Sequence, residues 1–162
     1  MLVLTIDPDT VDLNMVVYYA DEAAEYVVCK NKDMGVELTR IKNKYPSNGV
    51  VVVVETPVDY GAASSNVESM RTQIDFVSTI LYRLYNKNKV IIRSYTPQKA
   101  KKSVPKHIAL NRMQAYLNDS ERKLIEQCSK SHPKSIADIQ DCIFLYLIYS
   151  RRIRPGGVSA AH

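Results

Sequence analysis

The sequence lacks any apolar run of membrane-spanning length. The longest, Cys142 to Tyr149, has eight residues, against the ~20 that a helix needs to cross a bilayer. The N-terminus has no basic segment and no small-residue cleavage site, so no secretory signal is expected and a cytoplasmic protein is. Cysteine is scarce and odd in number: Cys29, Cys128 and Cys142 have no pairing pattern. They are expected as reduced thiols that pack in the core. Three histidines without ligand spacing give no basis for a zinc site. The most informative absence is of negative charge. From Arg83 to Arg112 there is no acidic residue, while Arg83, Lys87, Lys89, Arg93, Lys99, Lys101, Lys102, Lys106 and Arg112 all fall in that stretch. Residues 1–81 hold six Lys/Arg against twelve Asp/Glu, and residues 82–162 hold sixteen against five. Such an unmixed basic run points to a polyanion partner.

What is present is a chain of 162 residues, a length at which one domain buries roughly 70% of its unfolded surface. Its centre is Gly49-Val-Val-Val-Val-Val-Glu55. Five consecutive β-branched residues leave no face for water, so this is a strand covered on both sides within an α/β sheet. Leu2 to Ile6, Leu13 to Tyr19 and Glu25 to Lys30 read as three strands joined by short polar connections, an antiparallel meander. Helical periodicity follows over Val36 to Tyr45 and Val67 to Tyr85, with a fifth strand from Lys89 to Tyr95. Further helices are expected around Ile108 to Leu117, from Asp119 or Ser120, and from Ile136 to Arg152. The fold class is therefore α/β, a five-stranded mixed sheet (strands 1–3 antiparallel, strands 4 and 5 parallel) flanked by helices. This order is the ribonuclease H-like arrangement. One nuclease-sized domain over residues 1–153 and a disordered tail over 154–162 are expected.

Carboxylates stand out at three places. Glu55 ends the most apolar stretch of the chain, and ligands of open α/β sheets gather outside the carboxyl ends of strands. Asp7 closes the apolar first strand, where a carboxylate costs several kcal/mol unless cations or hydrogen bonds compensate it; an Asx-turn with Pro8 is the alternative. Asp138 and Asp141 are three residues apart on a helix apolar around most of its circumference, and so share a face. A capping box from Ser135 accounts for Asp138 but not for Asp141. Two like charges this close favour a bridging divalent cation.

Four motifs in order, Thr5-Ile-Asp-Pro8, Val-Val-Glu55, Tyr95-Thr-Pro-Gln-Lys-Ala-Lys101 and Ala137-Asp-Ile-Gln-Asp141, resemble those of the RuvC family of Holliday junction resolvases. The resemblance spans Val3 to Tyr149. It implies a ribonuclease H-like homodimer that nicks four-way junctions in recombination and repair. Asp7, Glu55, Asp138 and Asp141 would hold two Mg²⁺ or Mn²⁺ ions, giving 5′-phosphate products. It also implies that Lys101 faces the scissile phosphate; Tyr60 and, from the basic run, Lys99, Lys102, Lys106 and Arg112 are the further candidate DNA-binding residues. Thr5 and Asp9 replace the family's glycines around Ile-Asp-Pro. The family's Gly-rich segment after Tyr-Thr-Pro is replaced by Val104-Pro-Lys-His-Ile108, which leaves both Lys106 and Arg112 open as the second basic residue. Where cellular members carry junction-wedging aromatics, this chain offers Tyr60. This drift resembles the phage-encoded branch, which would place the protein in a bacterial host's cytoplasm. The alternatives are a ribonuclease H-like nuclease acting on RNA-containing substrates and a branched-DNA-binding protein without catalysis.

Overall fold

The computed structural model describes residues 1–58, 64–102 and 104–159. Its centre is a five-stranded sheet in the order β3-β2-β1-β4-β5. Strands β1 (Leu2–Asp7), β2 (Asp12–Tyr19) and β3 (Glu22–Lys30) form the antiparallel meander. Strands β4 (Val50–Glu55) and β5 (Val90–Tyr95) continue it in parallel. Side chains alternate along a strand, and each face has its own core. Leu2, Leu4, Ile6, Val50, Val52 and Val54 pack on one side with helices α1 (Met34–Lys44) and α2 (Ser64–Tyr85). Val3, Val51 and Val53 pack on the other with α6 (Ile136–Tyr149). The valine strand is thus covered on both faces as its composition requires, each fully buried side chain contributing roughly 1.5–3 kcal/mol. Gly49 enters it where a Cβ would collide with the Lys89 carbonyl.

Between β5 and α6 lie α3 (Pro97–Lys101), α4 (Lys106–Met113) and α5 (Asp119–Ser131). Helix α5 starts at a full capping box: the Asn118 side chain accepts from the Glu121 amide, and the Glu121 carboxylate accepts from the Asn118 amide. Glu121 is wholly buried and also takes the Tyr18 hydroxyl at 3.0 Å and the Arg152 guanidinium. One side chain thereby ties α5 to β2 and to the segment beyond α6. Cys128 and Cys142 are buried within the core and Cys29 is half-buried, all three as free thiols.

One expectation needs correction. Residues 154–159 are ordered: Ile153–Arg154 and Val158–Ser159 pair as a small hairpin, β6 and β7. Its turn is anchored because the Gly156 amide donates to the Ala100 carbonyl at 2.7 Å and Arg112 donates to the Gly156 carbonyl. A Gly-rich turn reads as unstructured locally, and only these contacts with α3 and α4 order it. The last three residues lie outside the described set. On α2, Tyr85 belongs to the core, and Ile80 packs partly against it. The apolar stripe of that helix is wider than its strictest three–four spacing, and Phe76 remains exposed.

Candidate active site

Strand parity and register build the site. Val3, Thr5 and Asp7 share the face that α6 covers, as do Val51, Val53 and Glu55. Pairing of Ile6 with Val54 brings Asp7 and Glu55 side by side at the carboxyl ends of β1 and β4. The first turns of helix α6 lie at those ends, and the helix is anchored on the sheet face by Ile139, Cys142 and Ile143, each wholly buried. The three-residue spacing then turns Asp138 and Asp141 toward Asp7. Carboxylate oxygens of Asp7, Asp138 and Asp141 come within 4.8 Å of one another. Glu55 joins through Lys101, whose Nζ is 2.9 Å from Glu55 Oε2 and 3.4 Å from Asp141 Oδ1.

The capping account of Asp138 does not hold. Ser135 makes no side-chain cap, because a 3₁₀ turn over Pro133–Ser135 leads straight into α6 and leaves Ser135 with helical dihedrals. Asp138 instead accepts from Asn14 Nδ2 at 3.4 Å. The concentration of negative charge shows in Asp7. Burial, the charge of Asp141, a hydrogen bond with Asp138 and the charge of Glu55 push its carboxyl from the ordinary 3.8 up to about 9. It therefore carries a proton at neutral pH when no cation is bound.

Two lysines answer that charge. Lys101 ends α3, which starts cleanly because Pro97 sits at the first helical position and the Thr96 hydroxyl accepts from the Lys99 amide. Lys106 begins α4 and reaches Asp141 Oδ2 at 2.5 Å. Burial would lower the pKa of both, but for Lys101 the charges of Asp141 and Glu55 outweigh it, and for Lys106 the bond to Asp141 does. Both end above their ordinary value.

The structure separates the two candidates for the second basic position. Lys106 is at the carboxylates, whereas Arg112 is spent on the Gly156 carbonyl. Lys99 and Lys102 are exposed beside Lys101. Tyr60 lies outside the described residues. The acid-free run is not one patch. Arg83, Lys87 and Lys89 precede β5, at the end of the sheet away from Glu55, while Lys99 to Lys106 follow it. The six-residue strand sets the two groups roughly 17 Å apart. Asn14 was missed from the sequence, although an amide between Leu13 and Met15 in an apolar strand is a signal of the same kind as Asp7.

Hard oxygen donors gathered in a half-buried cluster could hold a divalent cation. The arrangement fits such an ion in a further respect: Asn14 Oδ1 is buried and has no hydrogen-bond partner among the described residues, whereas the equally buried Asp141 Oδ1 is met by the Lys101 ammonium at 3.4 Å. A buried acceptor of this kind is costly unless something else meets it.

A ribonuclease H-like sheet with carboxylates at the ends of its first and fourth strands and on its last helix defines the class of fold. Within that class it is the fold of RuvC and related Holliday junction resolvases. No family model matches the sequence, and no curated protein matches it. Among solved structures, Thermus thermophilus RuvC in complex with a Holliday junction substrate superposes with a TM-score of 0.56 at 15% identity, covering 93% of this chain and 95% of that one. Thermus thermophilus RuvC in a second structure gives 0.53 at 14% identity, over 93% and 96% of the two chains. The fowlpox virus resolvase, in complex with its substrate Holliday junction DNA, gives 0.50 at 14% identity over 92% and 96%. Among the described residues no helix is long and apolar enough to cross a membrane.

Proposed function

We propose that this protein is a structure-selective DNA endonuclease that resolves four-way junctions by divalent-metal-dependent hydrolysis of phosphodiesters. The observation that carries the reading is the meeting of Asp7, Asp138 and Asp141 within 4.8 Å, beside two lysines. It is supported by a fold shared with proteins solved on Holliday junction DNA.

In this reading Asp7, Asp138 and Asp141 hold the cation, with Glu55 completing a site for a second one. A divalent ion held there would supply Lewis acidity at the phosphate and an activated water as nucleophile. The remaining work belongs to the chain. Without a cation the carboxylates repel phosphate, so they gate substrate entry on the metal. Lys101 and Lys106 meet the phosphate oxygens from the α3–α4 side, and the charge they now spend on Asp141 becomes available when a cation takes that carboxylate. Lys99 and Lys102 extend the contact along the backbone, a positioning role without sequence information.

A four-way junction needs two nicks related by two-fold symmetry, and two copies of the chain supply two identical sites. The proposed interface is the outer face of α2. There the exposed Phe76 and the partly buried Ile80 border a cleft of about 740 Å³ that Met34, Thr72 and Gln73 also line.

The test compares a labelled four-way junction, matched linear duplex and RNA–DNA hybrid, each with and without Mg²⁺. Paired nicks in the junction alone, dependent on Mg²⁺ and lost in Asp7→Asn, are expected. Cleavage of the hybrid in preference would move the substrate to RNA-containing duplexes. Junction binding with no nicking under any divalent ion would overturn the enzyme reading.

A further inference from the structure

Asn14 has no part in the scheme above, yet its placement is that of a site residue. It lies on β2 directly opposite Asp7 in the antiparallel register, so both side chains project from the same face of the sheet. It is 2% exposed, between Leu13 and Met15, which are wholly buried. Its Nδ2 donates to Asp138 Oδ2 at 3.4 Å, and its backbone carbonyl accepts from the Cys142 thiol at 3.6 Å. The contact with a carboxylate fixes which way the amide faces, because an amide oxygen turned there would meet oxygen. The other end of the amide, Oδ1, is then buried beside the acidic cluster with no hydrogen-bond partner among the described residues.

For folding alone an apolar side chain would serve this position better, since replacing an unsatisfied buried acceptor by apolar surface removes a penalty. Its neighbours on the strand are of that kind. A neutral oxygen donor has a use here only if something electropositive comes to it. Amide carbonyls stand alongside carboxylates in the oxygen shells of hard divalent cations.

We propose that Asn14 completes the cation site: its Nδ2 holds Asp138 in position, and its Oδ1 is an oxygen donor to the shell of the divalent ion that Asp7, Asp138 and Asp141 bind. This rests on the metal-dependent reading given under Proposed function. The one amide thus acts on the site twice. It orients a ligand, as groups behind metal ligands do, and it adds a donor without adding to the charge that already protonates Asp7.

The experiment measures Mn²⁺ binding to the full chain without DNA, by calorimetry, together with the metal-free melting midpoint. Wild type, Asn14→Leu, Asn14→Ala and the ligand control Asp141→Asn are compared. Asn14→Leu is expected to bind Mn²⁺ 10–100-fold more weakly while melting, metal-free, at or above the wild-type midpoint. A purely structural asparagine gives the opposite pair, a lower midpoint with unchanged affinity in the folded protein. Mn²⁺ affinity within twofold of wild type in a folded Asn14→Leu overturns the proposal. If leucine does not fit, Asn14→Ala is read by the same criterion, and failure of both to fold makes Asn14 a structural strut and overturns it as well. Wild type that binds no Mn²⁺ overturns the metal-dependent reading itself. Wild type that binds Mn²⁺ and nicks junctions, with an Asn14→Leu that does both equally, removes Asn14 alone.

Discussion

The proton on Asp7 makes metal binding and stability depend on pH in a direction that can be worked out. Its carboxyl titrates near 9 in the folded metal-free chain against 3.8 in a solvated one. Between those values the unfolded chain has lost the proton and the folded chain retains it. A raised carboxyl pKa gives its full stability below the unfolded value and loses it as pH rises toward the folded one. The metal-free protein is therefore expected to lose stability across the neutral range, by up to about 1.4 kcal/mol per pH unit from this group. A divalent ion must displace the proton, so its apparent affinity should rise about tenfold per pH unit from pH 6 to 8. The melting midpoint with Mg²⁺ should exceed the metal-free one by a margin that grows with pH. Calorimetric titration with Mn²⁺ in two buffers of different ionisation enthalpy should count about one proton released per site. Asp7→Asn removes the titrating group and should flatten the metal-free pH profile between 6 and 8. A wild-type midpoint independent of pH over that range, with no proton released on Mn²⁺ binding, would refute the account of the cluster.

Lys101 is nearly buried between Glu55 and Asp141, so Lys101→Ala leaves two carboxylates without their shared cation. Metal-free stability should fall by about 3 kcal/mol in chemical denaturation, and junction cleavage should fall more than junction binding. Arg152→Ala abandons the wholly buried Glu121; a loss of about 3–5 kcal/mol is expected, and a loss under 1 kcal/mol would show that solvent reaches that carboxylate. Phe76→Asp, on an exposed position of α2, should leave a folded chain that sediments as a monomer and nicks one strand without its symmetric partner. A wild type already monomeric at micromolar concentration, yet making paired nicks, would refute the interface.

The sequence by itself determined those features that neighbouring residues write. Five valines can only be a doubly covered strand, and a period of two carries Val3, Thr5 and Asp7, like Val51, Val53 and Glu55, onto one face. A separation of three sets Asp138 and Asp141 together on α6. Since β1 and β4 pair in parallel, these local rules bring the carboxylates to one end of the sheet, and the four motifs announced as much. Tertiary structure decided what depends on how distant pieces dock. Lys106 and Arg112 sit on the same short helix and are equivalent as isolated residues. Arg112 is committed to Gly156 because a hairpin 44 residues away folds onto α3 and α4, and of these two residues it is Lys106 that reaches Asp141. The same docking orders residues 154–159, whose glycines promised nothing locally. Tyr85 is likewise placed in the core by the packing of α2 against the sheet and α1. Asn14 was legible as a polar residue in an apolar strand. That its amide faces Asp138 followed only from the cross-strand register and from α6 closing over it, since no local pattern encodes contacts between residues 124 positions apart.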